Sequence, residues 1–292
     1  MMQIALTHRT RYQFDRSVRI GPHAVRLYPA PHCRTPILSY ALNVEPHADT
    51  ILWHTDSDGN TVVNMTFATA ATALQIDVKL VADLSPLNPF EFQIGPQAHT
   101  WPFQYGPDAA HDMVAFLAHD PESAALHEFL APFRQQRNQA PIPTIDLLVR
   151  LNQHVFTHTH YNTRMLPGVQ SPEETLALKS GSCRDSAWLL VHCLRQLGIA
   201  ARFASGYLIE IKWGQTPFNS AVNSGHADLH AWAEAWIPGA GWIGLDATSG
   251  LLAGEGHIPL ACGAIPCKAA PIAGSTEPCQ VDFSFAMDVT QI

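Results

Sequence analysis

The stretch SGSCRDSAWLLVHCLRQLG, residues 180–198, decides how this chain is read. Ser182 is a preferred helix N-cap, and Asp185 three positions later completes a capping-box arrangement. Ala187, Leu190, Val191, Leu194 and Leu197 recur at helical spacing as one apolar stripe, which Gly198 terminates. Cys183 is then the first helical residue, close to the N-terminal edge of that stripe. Its sulfur is expected where the helix dipole and unpaired N–H groups favour an anion, a setting that activates thiols. Cys193, ten residues on, has no such setting and reads as a packing residue. Alone, a cysteine at a helix start is compatible with a small buried hydrophobe as well as with a nucleophile. A partner base is needed to decide.

The stretch ADLHAWAEAWIPGAGWIGLDATSG, residues 227–250, offers one. Its first run alternates, with Leu229, Ala231, Ala233 and Ala235 pointing one way and His230, Trp232, Glu234 and Trp236 the other. The turn PGAG leads into a second strand carrying Trp242, Gly244 and Asp246 on one face. If Trp236 pairs with Trp242, Asp246 lies opposite Trp232, diagonal to His230 and on its face; a one-residue slip sends it to the other face. A thiolate enzyme needs an imidazole within reach and usually a third group that orients the ring. The residues permit that arrangement and permit an ordinary amphipathic hairpin as well.

Outward from this region, the chain divides near residue 100. Before it, THRTRYQF and ALQIDVKLVADL alternate as half-buried strands, and ILWHTDSDGNTVVNMTF is a hairpin around Asp58-Gly59. The acidic DSDGN lacks the later glutamate of a calcium loop and reads as a turn. Prolines 86, 89, 96, 102 and 107 mark the boundary. Then AAHDMVAFLAHD, PESAALHEFLAPFRQQ and PTIDLLVRLNQHVF carry helical periodicity, the last with Thr144 placed to cap it. SPEETLALK has Ser171 and Glu174 as a capping box and Pro172 at the first helical position. Strands return after residue 199, and CQVDFSFAMDV, 279–289, is expected to add a strand to one of two sheets. The fold class is α+β: a sandwich-like N-terminal β domain over 1–100, then helices followed by an antiparallel sheet over 101–292, with a C-terminal strand extension.

Composition narrows the partners. The net charge of −8 comes without any Lys/Arg cluster longer than a dipeptide, so neither nucleic acid nor an anionic membrane is an expected partner. The first residues, MMQIALTHRTRYQF, show no apolar signal region, and no run is long enough for a membrane helix. The expected location is cytoplasmic, with thiols reduced. The six cysteines form no CxxC pair, and the spacing of Cys262, Cys267 and Cys279 matches no common zinc pattern.

The run GSCRDSAWLLVHCLRQLGIAARFASGYL, followed by LHAWAEAWIPGAGWIGLDATSG, resembles the core of the transglutaminase-like superfamily, a papain-related group of thiol enzymes. HRTRYQFDRSV and VRLYPAPH resemble the N-terminal domain of its bacterial branch, and GHIPLACG with APIAGS resembles that branch's closing segment. The resemblance implies a Cys-His-Asp triad at Cys183, His230 and Asp246 and thioester chemistry on an amide of a peptide or protein substrate. It also implies an oxyanion donor at the Cys183 backbone N–H, with no cofactor and no metal. Tyr161, Asn162 and Trp101 are candidates for the second donor. Tyr161, Trp232 and Trp213 are expected around the substrate cleft, bordered by the long loop KWGQTPFNSAVNSGHADLH. Arg184 and Asp185 read as local helix-end contacts.

Two other functions compete. A catalytically silent binding module could keep the same fold. A metal-dependent hydrolase would use His154, His158 and His160, but HVFTHTHYNTR has no neighbouring carboxylate to serve as ligand or base.

Overall fold

The alternation of the first eighty residues becomes two antiparallel sheets packed face to face. The computed structural model describes residues 2–164, 166–211 and 225–292. Its first third holds β1 (Gln3–Val18), β2 (Ile20–Val25), β3 (Ile37–Glu45), β4 (Thr50–Thr55), β5 (Thr61–Thr66) and β6 (Ala71–Asp83). In β1, Ile4, Leu6, His8 and Thr10 are buried, and across the ladder they face the buried Ala82, Leu80, Val78 and Ile76. A one-residue slip would expose the whole set. At the β4–β5 turn, Gly59 takes a φ of 83°, and the Asp56 carboxylate accepts the N–H groups of Asp58 and Asn60. The acidic stretch is a self-bonded turn.

The helical segment opens with β7 (Thr100–Trp101), which pairs with β8 (Ile142–Pro143). Helices α1 (Pro107–Asp112), α2 (Val114–Leu117), α3 (Ala124–Gln139) and α4 (Thr144–His158) belong to this part. Thr144 does not cap α4. Pro143 occupies the cap position, and Thr144 is the first helical residue, buried, with its hydroxyl donating to the Ala98 carbonyl. The parallel pair β9 (His160–Tyr161) and β10 (Ser180–Gly181) brackets α5 (Pro172–Leu178), whose Ser171–Glu174 capping box is formed. Helix α6 (Cys183–Gln196) follows at once.

The second sheet system contains β11 (Ala201–Ile211), β12 (Gly225–Ile237), β13 (Gly241–Asp246), β14 (Leu251–Leu252) and β15 (His257–Gly263), in the order β14-β13-β12-β11-β15. Ala187, Leu190, Val191 and Leu194 of α6 share one core with Ala231, Ala233 and Ala235 of β12 and with Ala201 and Phe203 of β11. The row of alanines keeps the strand surface low, so the helix can lie close to it. Each leucine buried there contributes about 1.5–3 kcal/mol against exposure. Farther along the same strands, Tyr207, Ile209, Ala227, Ile258 and Leu260 enter the core of the N-terminal sheets. This sheet is thus covered at one end by α6 and at the other by the β-sandwich.

The chain then returns to the sandwich. β16 (Ile272–Thr276) pairs with β2, and β17 (Val281–Gln291) runs antiparallel to β1, giving sheet orders β16-β2-β5-β4 and β17-β1-β6-β3. The alternating run near the C-terminus is therefore the edge strand β17. β16 is a second added strand that a five-residue, glycine-containing segment did not announce. Among the described residues no helix is long and apolar enough to cross a membrane.

Candidate active site

The start of α6 is held by Asp185. Its fully buried carboxylate accepts the Ser182 N–H at 2.8 Å, the Ser182 hydroxyl at 2.7 Å, the Gln170 N–H at 2.8 Å and two N–H groups of Arg164 at 2.8 and 3.0 Å. Burial opposes its ionisation, but Arg164 and these donors outweigh it and hold the acid below its usual range. A Cβ on Gly181 would lie 2.8 Å from the Asp185 Cβ, so the residue before the cap has no room for a side chain. Arg184 donates to the carbonyls of Arg164 and Leu166. Both charged neighbours of Cys183 are thus bound in place, and Arg164, Leu166 and Gln170 are tied to the helix start. The Cys183 N–H lies in the first turn, where amides have no intrahelical acceptor.

β12 and β13 adopt the register in which Trp236 faces Trp242 and Ala233 faces Leu245. Asp246 is therefore placed diagonally from His230, and its Oδ2 lies 3.1 Å from His230 Nε2. With Nε2 on Asp246, the Nδ1 edge of the ring remains for Cys183, which lines the same cleft. Burial alone would lower the His230 pKa; the bond to Asp246 and the neighbouring Cys183 overcome it and push it up to about 10. Asp246 is held far below the usual carboxylate range, burial being outweighed by its two histidines.

Sequence reasoning missed two residues of this constellation. Thr248 donates its hydroxyl at 2.7 Å and its N–H at 2.9 Å to Asp246 Oδ1. His257, on β15, lies with Nε2 3.2 Å from Asp246 Oδ2. Its Nδ1 accepts the Gly254 N–H at 3.2 Å, so the proton of a neutral ring sits on Nε2 and is donated to Asp246. Both carboxylate oxygens are therefore saturated with donors, and Oδ2 is fixed toward His230. The threonine could be read from the Asp-x-Thr spacing as a side-chain turn. The histidine is eleven residues away on a non-adjacent strand, where only the fold reveals it.

Cys183, His230 and Tyr161 line one cleft of about 700 Å³, together with Trp188, Phe203, Phe283 and Phe285. Tyr161 is brought there because β9 pairs with β10, setting Tyr161 beside Gly181. The expectation for Trp232 is corrected: it is 1% exposed, its ring fills the space over Gly206, and its indole N–H donates to Glu234. A Cβ on Gly206 would meet that ring at 2.6 Å, which shows how tightly the indole is seated away from the cleft. Trp101 does not serve as an oxyanion donor either; it is buried, and its Nε1 donates to the Leu197 carbonyl at the far end of α6. Asn162 donates to Ser180 Oγ. Trp213, and most of the loop expected to border the cleft, lies outside the described residues.

Two of the three histidines considered for a metal-dependent hydrolase have ring nitrogens engaged by backbone carbonyls. These are His154 and His158, which pack against each other with tilted rings 4.1 Å apart and against Phe129. Cys262 lies by Glu234 and His32, Cys267 in the cleft wall and Cys279 beside Thr276. The group His32, Glu234 and Cys262 is compact enough for an ion, but Arg202 already ion-pairs with Glu234 at 2.6 Å. Cys193 is fully buried in the α6 core, and burial pushes its thiol pKa up.

Comparison with known proteins agrees with this architecture. Residues 4–83 match the bacterial transglutaminase-like N-terminal region, and residues 133–247 match the transglutaminase-like superfamily. An uncharacterised protein of Mycobacterium tuberculosis is 26% identical over 278 residues, 92% of this chain and 86% of its own. A protein-glutamine gamma-glutamyltransferase of Pseudomonas aeruginosa is 28% identical over 184 residues, covering 60% of this chain and 26% of that one. A solved structure from Cytophaga hutchinsonii, provisionally described as a cysteine protease, shares the fold. Its TM-score is 0.64 at 18% identity, covering 100% of this chain and 98% of that one.

Proposed function

From the premise that the chain belongs to the transglutaminase-like superfamily, we propose that it is a cysteine-dependent enzyme acting on amide bonds of peptides or proteins. The observation that carries the reading is His230 bonded to Asp246 in the same cleft as Cys183, with Cys183 at the first position of a helix. The thiolate of Cys183 attacks the amide carbonyl carbon, forming a C–S bond and an oxyanion. The first-turn N–H of Cys183 is suitably located to donate to that oxyanion. The His230 imidazolium then gives its proton to the departing nitrogen as the C–N bond breaks, leaving a thioester and a neutral imidazole. Water or a primary amine attacks the thioester, His230 takes the incoming proton, and the thiolate departs with the imidazolium restored. Asp246 keeps the ring oriented and supports its charged form, while His257 and Thr248 keep Asp246 in position.

The test is direct detection of the acyl-enzyme. Incubation with peptide amides and rapid acid quench is expected to show a mass adduct on Cys183, released as acid in water and as a new amide when a primary amine is added. Product formed equally by a Cys183→Ala variant would refute the assignment.

A further inference from the structure

Both matched family regions end before residue 248, yet one wall of the Cys183 cleft is built from the C-terminal segment: Pro266, Cys267, Ala269, Ala270 and Pro271, then Phe283 and Phe285 of β17. Phe283 and Phe285 alternate onto one face of the edge strand, their rings 6.2 Å apart, and Tyr12 of β1 extends the row 5.2 Å from Phe283. The two phenylalanines are 42% and 41% exposed and line a cleft that also carries Tyr161, Trp188 and Phe203. Large apolar surfaces left open next to a reactive group mark what the site is shaped to cover.

The charges in the cleft favour the same class of ligand. Arg164 is committed to Asp185 and to the Leu166 and Gly168 carbonyls. Arg184 is committed to the Arg164 and Leu166 carbonyls. Asp228 on the lining would repel an acidic side chain. We propose that the site selects acyl donors carrying a large apolar side chain, aromatic above all, next to the reacting amide, and that Phe283 and Phe285 are the residues that read it. This rests on Cys183 being the acyl carrier. The aromatic side chains of the cleft would cover that side chain as the adjacent carbonyl reaches the sulfur.

The experiment uses peptide amides identical except for that one residue: Phe, Leu, Ala, Lys or Glu, each releasing a fluorescent amine. The Phe peptide is expected to exceed the Ala peptide in kcat/KM by about tenfold or more, the scale on which apolar pockets discriminate, with Glu lowest. In Phe283→Ala/Phe285→Ala that preference should flatten to within about threefold of the Ala peptide, a loss consistent with truncating an apolar subsite. Both side chains are substantially exposed, so the double variant is expected to fold, with a far-UV circular dichroism spectrum and thermal unfolding midpoint matching the parent's. Equal turnover of all five peptides, or an aromatic preference unchanged in the double variant, would overturn the assignment of the wall. Absence of any adduct on Cys183 with every peptide would instead overturn the acyl-carrier reading, and this inference with it.

Discussion

At the scale of single residues, the proposed chemistry centres on a carboxylate that receives more donors than one histidine could supply. Asp246 takes two bonds from Thr248 and one from each of two imidazoles, and it stays ionised despite burial. His230 is consequently an imidazolium through neutral pH and gives up its proton only as the pH passes about 10. In the unfolded chain the same ring titrates near ~6.5. A raised folded pKa means that the pair's stabilising contribution is complete below ~6.5 and is lost between there and about 10. Asp246→Asn is expected to move the His230 titration, followed by the NMR signal of its ring Cε1–H, back toward the ordinary histidine range. It should also lower kcat/KM by about 10²–10⁴, as for other triads deprived of their acid. An unchanged titration would show that Asp246 does not govern the ring. His257 enters as a positioning residue, because it touches Asp246 and reaches the reaction only through it.

Elements carry the next level of precision. Helix α6 was legible from its apolar stripe and its Ser182–Asp185 start, since the 3.6-residue period and cap chemistry are local properties. The β12–β13 hairpin was legible in pattern, but its register was not, because alternating apolar and polar residues tolerate either phase until packing selects one. Trp232 shows the same limit: strand parity put it on the face of His230, but only the closeness of Gly206 on β11 shows that it turns into a buried layer. Asp185 is where an element-scale failure would begin. Replacing it with Ala would leave Arg164, 15% exposed in its side chain, without its counter-ion and would free four N–H groups and a hydroxyl. Breaking such a pair is expected to cost about 3–5 kcal/mol. Chemical denaturation of Asp185→Ala should show that loss, with Cys183 labelling slowed as the helix start loosens; a stability within about 0.5 kcal/mol of the parent, the range for innocuous surface substitutions, would contradict it.

For the whole molecule, the two cores share strands. Tyr207 and Ile209 belong to the sheet that carries His230 and Asp246 yet lie in the core of the sandwich, and His8 of β1 hydrogen-bonds the Tyr207 hydroxyl at 2.9 Å. The order of β and α segments, read along the chain, announced the two parts and the return of the final strand. It could not announce that β16 and β17 join different sheets, or that β17 brings two phenylalanines to the cysteine. Those depend on pairings between residues 247 to 287 positions apart, which local periodicity does not encode. The cleft lies where the two parts meet: α6 supplies the thiol, the central sheet supplies the base and its acid, and the edge of the sandwich supplies an aromatic wall.

The central claim is that His230 makes Cys183 a thiolate nucleophile, and Cys267, an exposed thiol in the same cleft wall, is the natural comparison. The decisive measurement is the rate of iodoacetamide alkylation at each cysteine between ~pH 5 and 7, read by peptide mass spectrometry, since only the thiolate reacts appreciably. Cys183 is expected to react about tenfold or more faster than Cys267 and to lose that lead in His230→Ala, because the thiolate fraction sets the rate. Equal rates at the two cysteines, or a Cys183 lead untouched by removal of His230, would contradict the account.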